Sequence, residues 1–226
     1  MFTVDRTKRN RLIVALEMCD VTYHATVRAA RGHYSNALFG LIMNVVYVAI
    51  FILALYVSMT IMGWRSNMLH GDFVLFLMSG VMGYMTFNKT MRAVYGAEGP
   101  TSAMMMHAPM NSFVAIASAA LSALYIQMFS VIVVLFVYHV AFKPIDIANP
   151  AFALFMVLSA WVFGIAVGLV LMSIRPWMPK FAPILMLIIG RVNIFASGKM
   201  FLGNSLSFAK LKLFDWNPLF HIIDQM

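Results

Sequence analysis

The sequence predicts an all-α fold, a polytopic helical membrane protein, and three observations carry that prediction. Hydrophobic residues make up 62% of the chain and charged residues only 11%, whereas soluble domains carry roughly 25% charge. The mean hydropathy is correspondingly high, at +0.87. No Asp, Glu, Lys or Arg occurs between Arg31 and Arg65, between Glu98 and Lys143, or between Asp146 and Arg175, and a spanning helix needs only about 20 apolar residues. These apolar runs are continuous and do not alternate, which separates them from barrel strands.

The same composition limits the function classes. A net charge of +8 would suggest nucleic acid in a soluble chain, but here the question is on which side of a bilayer the cations lie, and no nucleic-acid partner is expected. A lone Cys19 excludes an internal disulfide. Residues 1–36 contain no apolar core long enough for a secretory signal. The start of the chain is therefore expected to be retained, with insertion depending on the first span.

From Leu12 to Ala30, apolar Leu12, Leu16, Cys19, Tyr23, Val27 and Ala30 recur at spacings of three and four, while Glu17, Asp20, His24, Arg28 and Arg31 keep the same rhythm on another face. That pattern predicts an amphipathic helix. Preceded by Arg6, Lys8, Arg9 and Arg11, it suits a helix lying in the plane of an anionic cytoplasmic leaflet; packing on another protein domain is the other use of such a face.

Spans follow at about Ala37–Met62, Gly71–Phe87, Asn111–Val137, Ala151–Ile174 and Phe181–Ser197. Between the second and third lies Asn88–Met110, with Lys89, Arg92, Glu98, the turn Gly99-Pro100-Thr101-Ser102, and the run Met104 to Met110 around His107. The turn ends one short helix, and Thr101 or Ser102 can cap the next. The closing stretch, 198–226, carries Lys199, Lys210, Lys212, Asp215 and Asp224 and is broken at Gly203-Asn204-Ser205 and Asn217-Pro218. Its pieces are too short to cross a bilayer, and broken backbone at membrane depth is tolerated only where protein buries it or water reaches it. It is expected to re-enter as the lip of a conduit. Asn217 can cap and Pro218 can open a helix over Pro218–Gln225.

Orientation follows from the cations. With the N-terminus inside, six Lys and Arg before the first span, Lys89 and Arg92, and Arg175 and Lys180 place ten on the inner side; Arg65, Lys143, Lys199, Lys210 and Lys212 place five outside. The bias predicts a cytoplasmic N-terminus. It also puts the 88–110 segment inside and the 198–226 stretch outside.

Chemistry-bearing residues are few within the spans. Arg191 is the one Asp, Glu, Lys or Arg well inside a span, about 9 Å along the helix from Ser197 and about 15 Å from Phe181. It can face a water-filled path and meet an anionic substrate, or snorkel outward, or pair with Asp215 or Asp224. Tyr47, Tyr125 and Trp161, with Tyr56, Tyr84 and Phe163, can offer ring platforms to sugars or pack against lipid and neighbouring helices. His107, His139 and His221 lack the close spacing of a metal site, and no metal is expected; His221 and Asp224 can share a helix face. The 21 methionines are adaptable packing. No paired carboxylates or nucleophile with a base lie in the spans, which disfavours a membrane-embedded enzyme of glycan or lipid assembly. The chain has no Gly-x-x-x-x-Gly-Lys-Ser/Thr loop, so ATP-driven transport would need nucleotide bound by another polypeptide, for which Asn88–Met110 is the natural docking segment.

The order of parts resembles the permease of type-2 ABC exporters. More narrowly, Gly99-Pro100-Thr101-Ser102, His107-Ala108-Pro109-Met110-Asn111, Ser197-Gly198-Lys199-Met200-Phe201 and Phe214-Asp215-Trp216-Asn217-Pro218-Leu219-Phe220-His221 are similar to motifs of the capsular polysaccharide export subfamily. The resemblance implies a homodimer of permeases in the bacterial inner membrane. It implies a cytoplasmic ABC ATPase that binds ATP and Mg, with Glu98, Gly99, Pro100, Thr101 and His107 coupling the two subunits. An outer gate would comprise Lys199, Asp215, Trp216, Asn217, Pro218 and His221, with periplasmic partners relaying a lipid-linked polysaccharide substrate. It also implies a sixth span after the re-entrant segment; the chain stops at Met226, so a truncated product or an aberrant member is expected. The competing readings are a type-2 exporter of drugs or lipids, the membrane enzyme, and a non-catalytic scaffold.

Overall fold

A computed structural model describes residues 11–31, 37–61, 73–97, 111–145, 149–197 and 215–225. All regular structure among them is helical: α1 (Arg11–Arg31), α2 (Ala37–Ile61), α3 (Phe73–Tyr95), α4 (Ser112–Ala141), α5 (Pro150–Ile174), α6 (Phe181–Ala196) and α7 (Pro218–Asp224). Local chemistry sets several of the ends. Asn111 is extended and its side-chain oxygen accepts the Val114 N–H at 2.8 Å, capping α4. Pro150 opens α5 and Pro218 opens α7, positions where a missing N–H costs nothing.

Three helices, α2, α4 and α5, are long and apolar enough to cross a membrane. Only 17% of the most apolar window of α2 is buried, and 33% of those of α4 and α5. The outward apolar side chains, such as Leu38, Ile42 and Leu53 on α2 and Phe136 and Val140 on α4, suit a hydrocarbon solvent. The whole is an all-helical bundle compatible with a membrane protein.

At the centre of the bundle is α3, less apolar than α2, α4, α5 and α6. α3 packs against α2, α4, α5, α6 and α7, and residues 80–87 are buried without a break. It continues past Phe87, where the sequence places the end of the second span, through Asn88, Lys89 and Arg92 to Tyr95. Thr90, Met91 and Val94 are buried, so the first part of the predicted 88–110 segment belongs to the bundle. Asn88 and Lys89 are half-buried among the helices while Arg92 is exposed; facing the bundle interior is the condition under which such residues are tolerated at depth.

The most extensive packing is between α3 and α5, and it rests on missing side chains. A Cβ on Gly164 would stand 2.8 Å from the Phe87 carbonyl oxygen, and one on Gly168 would stand 2.8 Å from Val94 Cβ and 2.9 Å from the Met91 oxygen. With Ala160, fully buried one turn earlier, these residues form a small-residue stripe at four-residue spacing that lets the backbones approach. Phe87 and Phe163 stack beside it, centroids 5.1 Å apart. Elsewhere polar groups tie helices together: Trp161 Nε1–H donates to the Ala120 oxygen at 2.8 Å, joining α5 to α4, and Tyr84 O–H donates to the Gly190 oxygen at 2.9 Å, joining α3 to α6.

α1 lies along α4. The face it turns inward is Val21, Thr22, Ala25 and Thr26, small residues whose two hydroxyls bond back one turn, to the Met18 and Thr22 oxygens at 2.7 Å each. The predicted apolar stripe is divided: Val27 and Ala30 are half-buried with that face, whereas Leu16 and Tyr23 are 70% and 65% exposed and Cys19 is exposed. Protein packing and an apolar surface left free therefore coexist on one helix.

Candidate functional site

Where the end of α1 meets the beginning of α2, a cavity of about 580 Å³ opens between α1, α2, α3 and α4. Its polar lining is Arg31, Asn44, Tyr47 and Lys89, and its walls are Met43, Val46, Ile50 and Ile126. Ala29, Ala30 and Gly40 complete it, small residues that leave the volume open.

Lys89 projects from α3. Its Nζ donates to Asn44 Oδ1 and stands 5.8 Å from the Tyr47 ring centroid, within reach of a cation–π attraction. Asn44 Nδ2 donates in turn to Ser130 Oγ and, at 3.4 Å, to the Ile126 oxygen. Ser130 Oγ donates to that same oxygen at 2.9 Å. A chain of neutral groups thus holds the ammonium in place across three helices. No acidic side chain pairs with it among the described residues, and α2, α3 and α4 contain no Asp or Glu. Next in sequence to Ile126, the wholly buried Gln127 makes no hydrogen bond with either amide atom among the described residues.

The second polar group closes the bundle at α7. Asn217 is 4% exposed; its Oδ1 accepts the Leu219 N–H at 3.1 Å while Nδ2 donates to Asn193 Oδ1 at 2.9 Å and to the Ala196 oxygen at 3.0 Å. One residue therefore caps α7 and fastens it to the end of α6. Leu219, Phe220 and Ile223 are buried, on a helix that packs against α3 and α5. His221 sits against Asp215, with Nε2 2.8 Å from the Asp215 main-chain oxygen and 3.2 Å from Oδ1. Trp216 is 71% exposed.

The predicted path residues do not converge. Tyr47 lines the cavity; Tyr125 is exposed on α4; Trp161 bridges α5 and α4; Arg191 is exposed on α6 with no ion pair to Asp215 or Asp224. Of the predicted outer-gate residues, Asp215, Trp216, Asn217, Pro218 and His221 cluster around the start of α7. Lys199 and the coupling residues Glu98, Gly99, Pro100, Thr101 and His107 lie outside the described residues. No group of three His, Cys, Asp or Glu that could hold a metal occurs among the described residues.

Sequence reasoning counted Lys89 among the loop cations and passed over Asn44, Ser130 and Gln127. A signal was present in Asn44, an amide in a 25-residue apolar helix, because an amide within a span needs a partner from another helix.

Fold and cavity define a helical bundle compatible with a membrane, holding a partly buried cation with no acidic partner among the described residues. No family model and no curated protein matches the chain.

Proposed function

We propose that this chain is the permease subunit of an ATP-driven exporter that moves a lipid-linked, anionic polysaccharide, of the capsular type or a related glycoconjugate, across the bacterial inner membrane. In this reading five spans cross the bilayer from a cytoplasmic N-terminus, two copies pair, and a separate ABC ATPase binds ATP and Mg at the 88–110 segment. Periplasmic partners receive the polymer beyond the 198–226 re-entrant stretch.

The observation that carries the reading is Lys89, a cation on the central helix, held by Asn44 and Tyr47 without an acid among the described residues and facing a cavity with apolar walls. An anionic head on an apolar anchor complements both parts. The motif resemblance supplies the polysaccharide, and α7 suits an outer gate. It is only 7 residues long, far short of a span, yet it folds back among α3 and α5. A lipid exporter of the same architecture is the second reading, favoured by the cavity itself, which needs no sugar to fill it.

Co-expression with the ATPase from a neighbouring reading frame tests the proposal. The two products are expected to co-purify, and the complex to extrude labelled lipid-linked polymer into proteoliposomes when ATP is added. Transport of lipid but not polymer would establish the second reading. Failure to associate with any ATPase, together with glycan or lipid turnover by the chain alone, would replace both with an enzyme.

A further inference from the structure

We infer that the cavity at the α1–α2 junction is a binding site for the phosphate head of an anionic membrane lipid, with Lys89 as the inner cation, Arg31 as the outer one, and the Met43, Val46 and Ile50 flank of α2 as the bed for its chain. The inference rests on reading the cavity as the place of an anionic amphiphile. It does not depend on export or on any ATPase.

The argument begins with charge. A partly buried ammonium without an acid is costly in an apolar bundle, and an amide oxygen and a ring face compensate it only in part. Lysine has three N–H donors; Asn44 takes one, which leaves donors for the oxygens of a phosphate, the strong charge-assisted pairing. Arg31 on the same cavity supplies a second cation whose fork suits a phosphate. Depth agrees with the five-span reading: Lys89 is six residues before the end of α3 at Tyr95, about 9 Å along its axis, which in that reading lies near the boundary between headgroups and hydrocarbon.

The apolar part distinguishes a lipid from free phosphate. Met43, Val46 and Ile50 are 40%, 42% and 60% exposed, so the wall of the cavity continues onto the outward face of α2 and opens sideways, where hydrocarbon would lie. Inorganic phosphate would gain nothing from that wall. A lipid gains from the cation and the wall together.

The test uses the full chain in phosphatidylcholine nanodiscs with and without phosphatidylglycerol, with retained lipid read by native mass spectrometry and inorganic phosphate added as competitor. Phosphatidylglycerol is expected to be retained over phosphatidylcholine. Lys89→Met is expected to reduce that preference by about tenfold, the loss of one charged hydrogen bond, and Lys89→Arg to keep it. Arg175→Gln, which removes a cation stacked on Tyr95 away from the cavity, is expected to change nothing. Val46→Trp, which fills the wall but spares the ammonium, is expected to displace the lipid in a folded protein even if Lys89→Met fails to fold. An unchanged preference in Val46→Trp or in folded Lys89→Met overturns the inference, as does displacement of the lipid by inorganic phosphate at equal concentration. Co-purification with an ATPase is untouched by either result, so failure here and failure of the export reading are told apart.

Discussion

Replacing Gly168 by alanine adds one methyl group at the α3–α5 interface, and the structure supplies the terms of the outcome. The new Cβ would lie 2.8 Å from Val94 Cβ and 2.9 Å from the Met91 oxygen. Carbon atoms settle no closer than about 3.5 Å, so one helix must retreat by about 0.7 Å. Neither obstructing atom is the tip of a flexible side chain, and rotation cannot relieve the contact. Overpacking of this kind costs about 1–3 kcal/mol, against which alanine gains about 0.8–1.0 kcal/mol over glycine in a helix interior. The expected net is a loss of up to about 2 kcal/mol. Gly190→Ala is the internal control: its Cβ would meet Asn88 Oδ1 at 3.0 Å and Arg92 Nη2 at 3.7 Å, both side-chain ends that can swing away, so the helix gain is expected to dominate. Thermal unfolding of the detergent-solubilised protein, followed by loss of the monodisperse elution peak, should place Gly168→Ala below wild type by about 2–4 °C per kcal/mol lost, and Gly190→Ala at or above wild type. Equal behaviour of the two variants would refute the claim that close backbone approach organises α3 and α5. Gly164→Ala with Gly168→Ala should fall short of additivity, because a single retreat of α5 relieves both contacts.

Four other outcomes are expected, two from this geometry and two from the proposed function. Asn217→Ala removes a cap and two interhelical donors, together worth about 2–3 kcal/mol, and should raise hydrogen exchange over α7 while leaving α4 protected; unchanged exchange would deny Asn217 its fastening role. Trp161→Phe keeps the ring but loses the bond to Ala120, costing about 0.6–1 kcal/mol of thermal stability, and a result indistinguishable from wild type would reduce that bond to a bystander. If Arg191 faces the exporter's path, Arg191→Ala lowers surface polymer at unchanged expression, and normal polymer would return the arginine to a structural or snorkelling role. If the chain is the permease proposed, Glu98→Ala combined with His107→Ala is expected to reduce co-purification of an ABC ATPase with membrane insertion intact, and full retention would move docking elsewhere.

The helices themselves were largely legible, for local reasons. Uncharged apolar runs define α2, α4 and α5, because run length alone decides what can span. The Asn217-Pro218 pair announces the start of α7, because a cap and a fixed φ act within one turn. The end of α3 was not legible: Asn88, Lys89 and Arg92 resemble the exit from a membrane, and it is the burial of Thr90, Met91 and Val94 against neighbouring helices that keeps α3 going to Tyr95. The apolar stripe of α1 was visible in its periodicity, but its docking face, Thr22 and Thr26 among small neighbours, carries little hydrophobic signal.

The sequence by itself therefore determined an all-helical chain fit for a bilayer, the places where most of its helices begin, and the scarcity of charge within them, since composition and periodicity act along one strand of chain. Tertiary structure alone decided that Lys89 meets Asn44, 45 positions away, that Ser130 completes their support from a third helix, and that Gly164 and Gly168 face α3 rather than open space. Contacts of this kind depend on which helix faces lie together, and that choice is made only when every span packs at once against its neighbours.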